Sequence, residues 1–566
     1  MPTVLPRLKR KISRETKLKN PIFSYPPNSS LGDLSLACFD LAKKTKIAPN
    51  IYAQELADKL NGKKQLKKYF SEIKPAGPYL NFYINPEYLA QHTIQNIKVS
   101  GKKYGNNKSG GRQKIVLEYS NGNTHKEYHV GHLRNISYGD AVARLLAASS
   151  YHVVSVSYIN DFGIHVAKTI WNWRNNPQYE KAEGSKGYLL GNCYSESARR
   201  LEEEPEKKEE VLSIMKEIES RRGENYRLWE KTRLWSIKYF ASIYKDLDIS
   251  FSHIFYENEY IDEGLRIVKR LLKKKKLVES EGAIIADLTE YNLGVLPVIR
   301  QGGTALYPVA DLALIAEKNR RYQPDESFYV VDVRQGLYLK QLDKLREFLG
   351  YKSPVKHLGY DFVTLPEGMM SSRSGNVITY QELKEKIFNK LVIETTKRHP
   401  DWTKTRINQV AWSLTVSTIK FEMLKVSADK IIVFNIDEAL RFDGYTACYL
   451  QYGYVRLKSL IRKEPLNLIF RKFSPKMLSD NKEKELLLKL ARYPEIIKLA
   501  SDKYNPSELA KYLFELIQMF NDYYHEVNIL KAEPKLKKAR LVLARSIAQT
   551  LNNGFKILGL RVIEEM

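Results

Sequence analysis

The sequence predicts a multidomain protein built around an α/β domain with a parallel sheet. A short strand, a turn, a helix and a second strand follow one another from about residue 115, and this unit is the building block of such a sheet. Beyond about residue 400 the pattern is helical with little strand character. At 566 residues the chain is too long for one hydrophobic core, so we expect roughly three or four domains.

The N-terminal region, residues 1–105, mixes helical and strand patterns and predicts a separate α+β domain. An amphipathic helix is predicted over Leu31–Lys46 and a second helix over Ile51–Leu60. Apolar and polar residues alternate over Ala76–Asn85 after a Gly-Pro turn, which predicts a strand. Gly101–Gln113 is rich in glycine, asparagine and lysine and is interpreted as a linker.

The predicted α/β domain spans residues 106–380. Its first strand is Ile115–Tyr119, its first helix begins near Tyr128, and its next strand is Val153–Ile159. A further strand is predicted over Phe328–Val333. Together these elements predict a Rossmann-like domain.

A charged helical insertion is expected inside this domain, over about residues 170–285. Within it, Glu202–Glu224 interleaves glutamate and lysine, which is typical of a solvent-exposed helix. A connecting helical segment is predicted over residues 381–430 and an all-α C-terminal domain over residues 431–566.

The charge balance favours a polyanionic partner. The chain has 92 lysines and arginines against 65 aspartates and glutamates, a net charge of +27. Cationic side chains that neutralise phosphates release counterions, so such an excess is typical of nucleic-acid binding. A lysine-rich solvated surface would explain the same excess, and the motifs have to decide between the two.

Several classes of protein are not expected. No run of 18 apolar residues indicates a membrane span, and the basic N-terminus is not followed by the apolar stretch of a signal peptide. Cys38, Cys193 and Cys448 lie far apart in sequence, so neither a disulfide framework nor a structural zinc site is predicted. This cysteine usage fits a reduced, cytoplasmic compartment.

The tetrad His129-Val130-Gly131-His132 begins the helix that follows the first strand. Helix N-termini attract anions, and Gly131 leaves room for a nucleotide close to the backbone. His129 and His132 share one face of the first turn, where imidazoles can donate hydrogen bonds to a phosphate in its transition state. The alternatives are two surface histidines or half of a metal site, although no carboxylate or thiol is spaced to complete such a site.

The segment Leu117–Leu146, which contains the tetrad, resembles the first signature of arginyl-tRNA synthetases, a class I family. Class I synthetases share a tetrad of this type, and the continuation Leu133-Arg134-Asn135 is similar to that of the arginine enzymes. The resemblance implies that ATP and arginine form arginyl-adenylate and pyrophosphate, and that arginine then passes to the terminal ribose of its tRNA. It also implies a monomer whose activation step requires bound tRNA.

The same resemblance implies the position of the arginine pocket. Glu118, Ser120 and Asn123 are expected to line it, with Lys126 near the ATP phosphates. A planar guanidinium requires carboxylates in a matching geometry, which makes Glu118 a candidate for that contact.

Tyr307 and Asp311 are four residues apart, so they share one face if their segment is helical. The resemblance implies that this pair holds the guanidinium and that Gln335 lies beside the α-amino group of arginine. The sequence departs from the family at Val309-Ala310, where Thr-Arg is common, and at Tyr338, where histidine is usual.

The segment Met369–Ile378 resembles the KMSKS loop, which closes over ATP in class I synthetases. Ser372 stands at the usual lysine position and Arg373 follows it, so Lys126 and Arg373 are predicted to share the phosphate contacts. Mg²⁺ is expected to accompany ATP without an all-protein site. The loop residues implied in ATP binding are Met370, Ser371 and Ser372.

Two further segments resemble the parts of the family that bind tRNA. Asp443–Lys463 resembles the start of the anticodon-binding helices, and residues 1–105 resemble the extra domain that contacts the tRNA D-loop. Aromatic rings stack on splayed bases and arginine contacts phosphate, although an amphipathic core helix would explain the first segment as well. The side chains expected at tRNA are Tyr79, Asn81, Tyr449, Tyr452 and Arg456.

Two other functions stay open. Another class I synthetase, such as the cysteinyl type, is opposed by the missing zinc-spaced cysteines and by the Tyr307 and Asp311 pair. A synthetase-like RNA-binding protein without catalysis is favoured by the departures at Tyr338 and Ser372, and opposed by the intact tetrad and Glu118.

Overall fold

The N-terminal residues form a small sheet covered by helices in this computed structural model, which describes residues 3–19, 21–366, 378–463 and 473–566. The elements are Val4–Thr16 (α1), Phe23–Ser24 (β1), Leu34–Ala37 (β2), Phe39–Thr45 (α2), Pro49–Asn61 (α3), Phe70–Ala76 (β3), Tyr79–Ile84 (β4) and Pro86–Ser100 (α4). The strands join in the order β1-β2-β4-β3, with antiparallel neighbours.

This region confirms the predicted α+β class but corrects one element. The helix predicted over Leu31–Lys46 is wrong in its first half, because β2 pairs with β4 and the helix begins only at Phe39. Three consecutive residues of β2 are buried, so the apolar pattern there reflects a strand with both faces covered. The second predicted helix lies within α3, as expected.

A five-stranded parallel sheet, in the order β12-β11-β5-β6-β7, forms the centre of the α/β region and confirms the predicted fold class. The elements of this region are Lys114–Glu118 (β5), Val130–Ala148 (α5), His152–Ile159 (β6), Ile164–Asn175 (α6), Gln178–Lys181 (α7), Lys186–Glu203 (α8), Lys208–Glu219 (α9), Gly223–Asp246 (α10), His253–Tyr256 (β7), Ile261–Lys273 (α11), Val278–Ser280 (β8), Ala283–Asp287 (β9), Val295–Ile299 (β10), Tyr307–Tyr322 (α12), Glu326–Asp332 (β11), Gly336–Phe348 (α13), Val355–Tyr360 (β12) and Val363–Thr364 (β13).

The charged insertion consists mainly of helices α6 to α10, which share a small core of their own. Strand β7 follows α10 and pairs with β6, so the segment predicted as an insertion contains a strand of the central sheet. The single exposed helix predicted over Glu202–Glu224 is wrong, because α8 and α9 are separate helices. Helix α9 buries Val211, Ile214 and Ile218, which gives it an apolar face that its charged sequence concealed.

The remainder of the chain is helical, as predicted. Its elements are Tyr380–Arg398 (α14), Lys404–Leu424 (α15), Ile432–Val433 (β14), Ile436–Ala439 (α16), Ala447–Arg462 (α17), Asn481–Asp502 (α18), Pro506–Glu526 (α19) and Pro534–Ile557 (α20). Among the described residues, no helix combines the length and the apolar character needed to cross a membrane.

The segment interpreted as a linker, Gly101–Gln113, is packed between the N-terminal and C-terminal regions. Tyr104 is buried and its hydroxyl donates to the carbonyl of Leu490 at 2.8 Å. Asn553 donates from its side-chain amide to the carbonyl of Gly101 at 2.9 Å. One hydrophobic core accordingly runs from α1 through α5 to α20.

Arg134 joins helix α5 to the end of helix α15. Its guanidinium is buried and donates to the carbonyls of Met423, Ser427 and Val426, with 2.8 Å to Ser427 and 3.4 Å to Val426. The last carbonyls of a helix have no partner within the helix, so this arginine satisfies groups that burial would otherwise leave unpaired.

We predict that Arg134→Leu lowers the free energy of unfolding by about 2–4 kcal/mol, since the buried carbonyl of Met423 and the half-buried carbonyls of Val426 and Ser427 lose their donor. Urea denaturation followed by circular dichroism measures the change. Arg320→Leu is the control, because Arg320 is 73% exposed and pairs only across the surface with Glu317. An unchanged midpoint for Arg134→Leu would show that the contact does not stabilise the fold.

Candidate active site

The carboxyl ends of β5, β6 and β11 meet at one edge of the central sheet, where helix α5 begins. Just beyond the strands, Asn123 pairs with Asn160 through a backbone bridge. Ligands bind at this edge in open parallel sheets because the loops diverge there. Two cavities lie along the edge, and Asn123 belongs to the lining of both.

His129 and His132 cap the first turn of α5 with one ring nitrogen each. The backbone N–H of Gly131 donates to His129 Nδ1 at 3.1 Å, and the backbone N–H of His129 donates to His132 Nδ1 at 3.2 Å. A neutral imidazole whose Nδ1 accepts a hydrogen bond carries its proton on Nε2. The caps therefore fix the tautomer of both rings and make each Nε2–H a donor.

Both rings are held in the neutral form. Burial, and then the charge of Lys126, lower the pKa of His129 to about 4. Burial holds the pKa of His132 well below its usual value, with contributions from His129 and Lys126. At neutral pH the pair consequently offers hydrogen-bond donors rather than cations. Gly131 leaves room for the folded-back ring, because a Cβ there would lie 3.0 Å from His129 Cε1.

The cavity in front of the two histidines, here called the HVGH pocket, has a volume of about 430 Å³. Lys126 lies in it, as does Glu127, whose pKa is raised to about 7 by burial and then by the charge of Glu382. Four lining residues come from helix α8 of the insertion, which no motif connected with the site. The lining consists of Asn123, Lys126, Glu127, His129, His132, Tyr188, Asn192, Tyr194, Ser195, Thr379 and Glu382.

The start of helix α14 is tied directly to the tetrad. The backbone N–H of Val130 donates to the carbonyl of Ile378 at 3.3 Å, and the N–H of Tyr380 donates to the carbonyl of Tyr128 at 2.7 Å. Thr379 caps α14 and lines the HVGH pocket. The predicted loop residues lie outside the described residues; they are Met370, Ser371, Ser372 and Arg373.

The second cavity, here called the strand-end pocket, has a volume of about 530 Å³. Tyr307 and Asp311 occupy the first two turns of α12, which confirms their predicted shared helical face. Tyr307 is 63% exposed and forms an open wall. The predicted arginine-pocket residues that this cavity brings together are Glu118, Asn123, Tyr307, Asp311 and Gln335.

Asp311 is one of three carboxylates that line the strand-end pocket, with Glu118 and Asp332. Its Oδ2 accepts a hydrogen bond from the hydroxyl of Tyr338. Burial raises the pKa of Asp311 to about 6 against the effect of that hydrogen bond, and the charge of Glu118 adds to the increase. Tyr338, a departure from the family pattern, thus holds the carboxylate in place.

Glu118 is paired within the protein, which limits the guanidinium contact predicted for it. Its Oε2 accepts from the ammonium of Lys318, and its Oε1 accepts from the amide of Asn121 at 3.1 Å. Lys318 also donates to the hydroxyl of Tyr329 at 3.0 Å. Burial disfavours the ammonium, but Glu118 and Tyr329 outweigh it and raise the pKa of Lys318.

Glu257 is a buried acid next to the lining of the strand-end pocket, and no motif indicated it. It follows strand β7, lies beside the lining residue Tyr158 and is buried, with 9% exposed. Its Oε2 has no hydrogen-bond partner among the described residues. Burial, and then the charges of Asp311 and Asp161, raise its pKa to about 8. Only the fold could have shown this residue, since it lies 54 positions before Asp311 in an insertion.

Ser120 does not line either pocket within the described part of the chain, contrary to the prediction. It is buried in the turn after β5, where its backbone N–H donates to Asn135 Oδ1 at 2.6 Å. Its hydroxyl lies 2.9 Å from that of Tyr128 and 3.1 Å from that of Tyr244. Ser120 therefore shapes the turn that positions Asn123.

The side chains predicted to contact tRNA lie in two places. On helix α17, Tyr449 and Arg456 both contact Asn521, at 3.0 and 2.9 Å, and the Arg456 guanidinium lies 5.0 Å from the ring centre of Tyr452. These three side chains are partly exposed.

At the start of β4, Tyr79 is 40% exposed and meets the ring of Phe39 edge-on at 5.5 Å. Asn81 is buried instead, because its Oδ1 accepts from the Ser35 hydroxyl at 2.6 Å. The prediction that Asn81 reads a base is not supported by this position.

The described residues contain no group of three potential metal-ligating side chains, and their three cysteines are buried and unbridged.

Comparison with known proteins assigns three consecutive regions. Residues 93–435 match the family described as tRNA synthetases class I (R), catalytic domain. Residues 450–566 match the DALR anticodon binding domain, and residues 6–84 match the arginyl tRNA synthetase N terminal domain.

Relatives and solved structures agree with these matches. The arginine–tRNA ligase of Bdellovibrio bacteriovorus is 34% identical over 551 residues, which cover 96% of this chain and 93% of that protein. The arginine–tRNA ligase of Clostridium kluyveri is 30% identical, covering 99% and 98% of the two chains. The structure of Thermus thermophilus arginyl-tRNA synthetase matches the fold with a TM-score of 0.82 at 24% identity, over 99% of this chain and 100% of that one.

The internal pairing of Glu118 leads to a prediction about stability. Lys318→Met should lower the free energy of unfolding by about 3–5 kcal/mol, because it leaves a buried carboxylate without its cation. Glu118→Gln combined with Lys318→Met should recover part of this loss, since no unpaired charge remains. Denaturant titration of Lys318→Met, Glu118→Gln and the double variant measures the coupling, and purely additive effects would contradict the pairing.

Proposed function

The chain belongs to the class I arginyl-tRNA synthetases, and we propose that the strand-end pocket binds arginine while the HVGH pocket binds ATP. Its activity is the ligation of arginine to tRNA. The observation that carries the proposal is the junction at Asn123, where a cavity lined by three carboxylates meets a helix start with two neutral imidazole donors.

The guanidinium of arginine pairs with Asp311 and Glu257 in this proposal. A guanidinium stays charged at any physiological pH and offers its donors in a planar fork. Tyr338 orients Asp311, and Glu257 brings an oxygen without a partner among the described residues. Glu118 stays with Lys318 and supports the pocket from behind. Gln335 and Asn123 then bind the amino and carboxylate groups on the α-carbon of arginine.

The reacting groups meet between the two pockets. The carboxylate of arginine attacks the α-phosphate of ATP in line, a new P–O bond forms, and pyrophosphate leaves. The Nε2–H groups of His129 and His132 and the ammonium of Lys126 stabilise the developing charge on the phosphate oxygens. Mg²⁺ bound with ATP would neutralise phosphate charge, and the carboxylates that could help to hold it are those of Glu127 and Glu382, which line the same pocket.

Transfer follows in the same site. The terminal ribose hydroxyl of tRNA attacks the carbonyl carbon of the adenylate, and AMP leaves. The partly exposed side chains on α17 contact one part of the tRNA; they are Tyr449, Tyr452 and Arg456. Tyr79 stacks on a base in another part of the tRNA.

Charging of a mixed tRNA population with each amino acid in turn tests this function. Arginine alone is expected to become attached, and attachment should depend on ATP. Failure to attach arginine at any tRNA concentration would overturn the proposed function. Attachment of a different amino acid would overturn the pocket assignment.

We predict that Asp311→Asn lowers kcat/KM for arginine by about a hundredfold or more while tRNA affinity stays unchanged, because the amide loses the charge but keeps the shape. ATP–pyrophosphate exchange with tRNA present measures the first quantity and filter binding the second. Asp287→Asn, at the exposed end of strand β9, is the matched control. Loss of tRNA binding in Asp311→Asn would contradict the assignment.

The raised pKa values of the two acids predict a pH dependence. A carboxyl binds the guanidinium only when ionised, and the pKa values are about 6 for Asp311 and about 8 for Glu257. The ratio kcat/KM for arginine reports groups of the free enzyme, so it should rise from about pH 5 to about pH 9. Glu257→Gln should remove the upper part of this rise. A flat profile across the range would contradict both assignments.

A further inference from the structure

Helix α8 of the insertion forms the outer wall of the HVGH pocket. Its contribution, here called the α8 wall, consists of Tyr188, Asn192, Tyr194 and Ser195. Gly191 lies on the same part of the helix, and a Cβ there would be 2.2 Å from Glu127 Cγ and 2.8 Å from the Glu127 backbone nitrogen. Helix α8 therefore packs directly against Glu127, which lies two positions before the tetrad.

The other side of α8 is fixed just as closely. A Cβ at Gly187 would be 2.4 Å from the Cβ of Tyr239 and 2.6 Å from the carbonyl of Trp235, so α8 packs backbone-close against α10. Two glycines one turn apart thus hold the α8 wall between the insertion and the start of the catalytic helix.

The residues around Lys126 are fixed by the same insertion. The neighbouring His125 is buried, its Nε2 lies 2.8 Å from the Thr232 hydroxyl, and its backbone N–H donates to the Ser236 hydroxyl at 3.0 Å. The Lys126 ammonium lies 4.9 Å from the ring centre of Tyr194, in the arrangement of a cation–π pair. The residue before Lys126 and the Lys126 side chain therefore both contact the insertion.

We propose that Tyr194 is a positioning residue that holds the Lys126 ammonium in the HVGH pocket, so that the insertion takes part in ATP activation. This inference rests on the proposed function of the pocket. A lysine side chain with four rotatable bonds loses freedom when it contacts a phosphate. The aromatic face reduces that loss by attracting the ammonium before ATP binds.

The experiment compares Tyr194→Phe, Tyr194→Leu, Lys126→Met and the double variant Lys126→Met with Tyr194→Leu. ATP–pyrophosphate exchange with tRNA present gives kcat and KM separately for ATP and for arginine. Tyr194→Leu should lower kcat/KM for ATP about tenfold, whereas Tyr194→Phe should stay within about twofold because its ring still attracts the ammonium. The KM for arginine should not change.

The double variant makes the test independent of folding defects. If Tyr194 acts through Lys126, then Tyr194→Leu should have almost no further effect in the Lys126→Met background. An equal loss in both backgrounds, or an equal loss in Tyr194→Phe, would overturn the inference. Lys231→Met is the matched control, because Lys231 forms a similar pair with Trp235 at 5.2 Å on the same insertion outside the pocket.

The same variants test the role of Lys126 and the role of Tyr194 separately. If Lys126→Met itself leaves ATP activation unchanged, the proposed role of Lys126 fails. If Lys126→Met lowers activation and Tyr194→Leu does not, the role of Lys126 stands and the positioning role of Tyr194 is wrong.

Discussion

The position of helix α5 is the constraint on which both pockets depend. The helix is buried along nearly its whole length and starts at the carboxyl edge of the sheet. Asn135 accepts from the Ser120 backbone and donates to the Val330 carbonyl at 2.7 Å, which joins the helix to the ends of β5 and β11. Buried polar groups are costly unless they are paired, so these contacts allow few alternative positions for the helix.

The same helix connects the site to the C-terminal helices. The carboxylate of Asp140 lies 3.1 Å from the ammonium of Lys420, and both side chains are almost completely buried. Together with the cap that Arg134 provides for α15, this pair links the start of the tetrad helix to helices that reach the C-terminus. The position of α5 therefore depends on the position of α15.

The sequence predicted the parts of the site that depend on local geometry. A strand followed by a helix start, and two residues four positions apart on one helix, need only the periods of the backbone. The first half of the helix predicted over Leu31–Lys46 is wrong because a short strand buried on both faces has no alternation to distinguish it. The pairing of Glu118 with Lys318 spans 200 residues of sequence, and no local pattern carries that information. Glu257 and the α8 wall were not predicted either, because the charged sequence of the insertion is typical of a solvated surface.

The departure from the family pattern at Tyr338 is explained by how the strand-end pocket balances charge. A site for a guanidinium needs acids, but several buried acids in one cavity repel one another and raise each other's pKa values. Lys318 neutralises Glu118, and the hydroxyl of Tyr338 satisfies Asp311 without adding a charge. Tyrosine at this position therefore does what a neutral histidine can do, which is to donate one hydrogen bond to the carboxylate. The alternative of a protein that has lost catalysis was favoured partly by this residue, and the position of its hydroxyl removes that support.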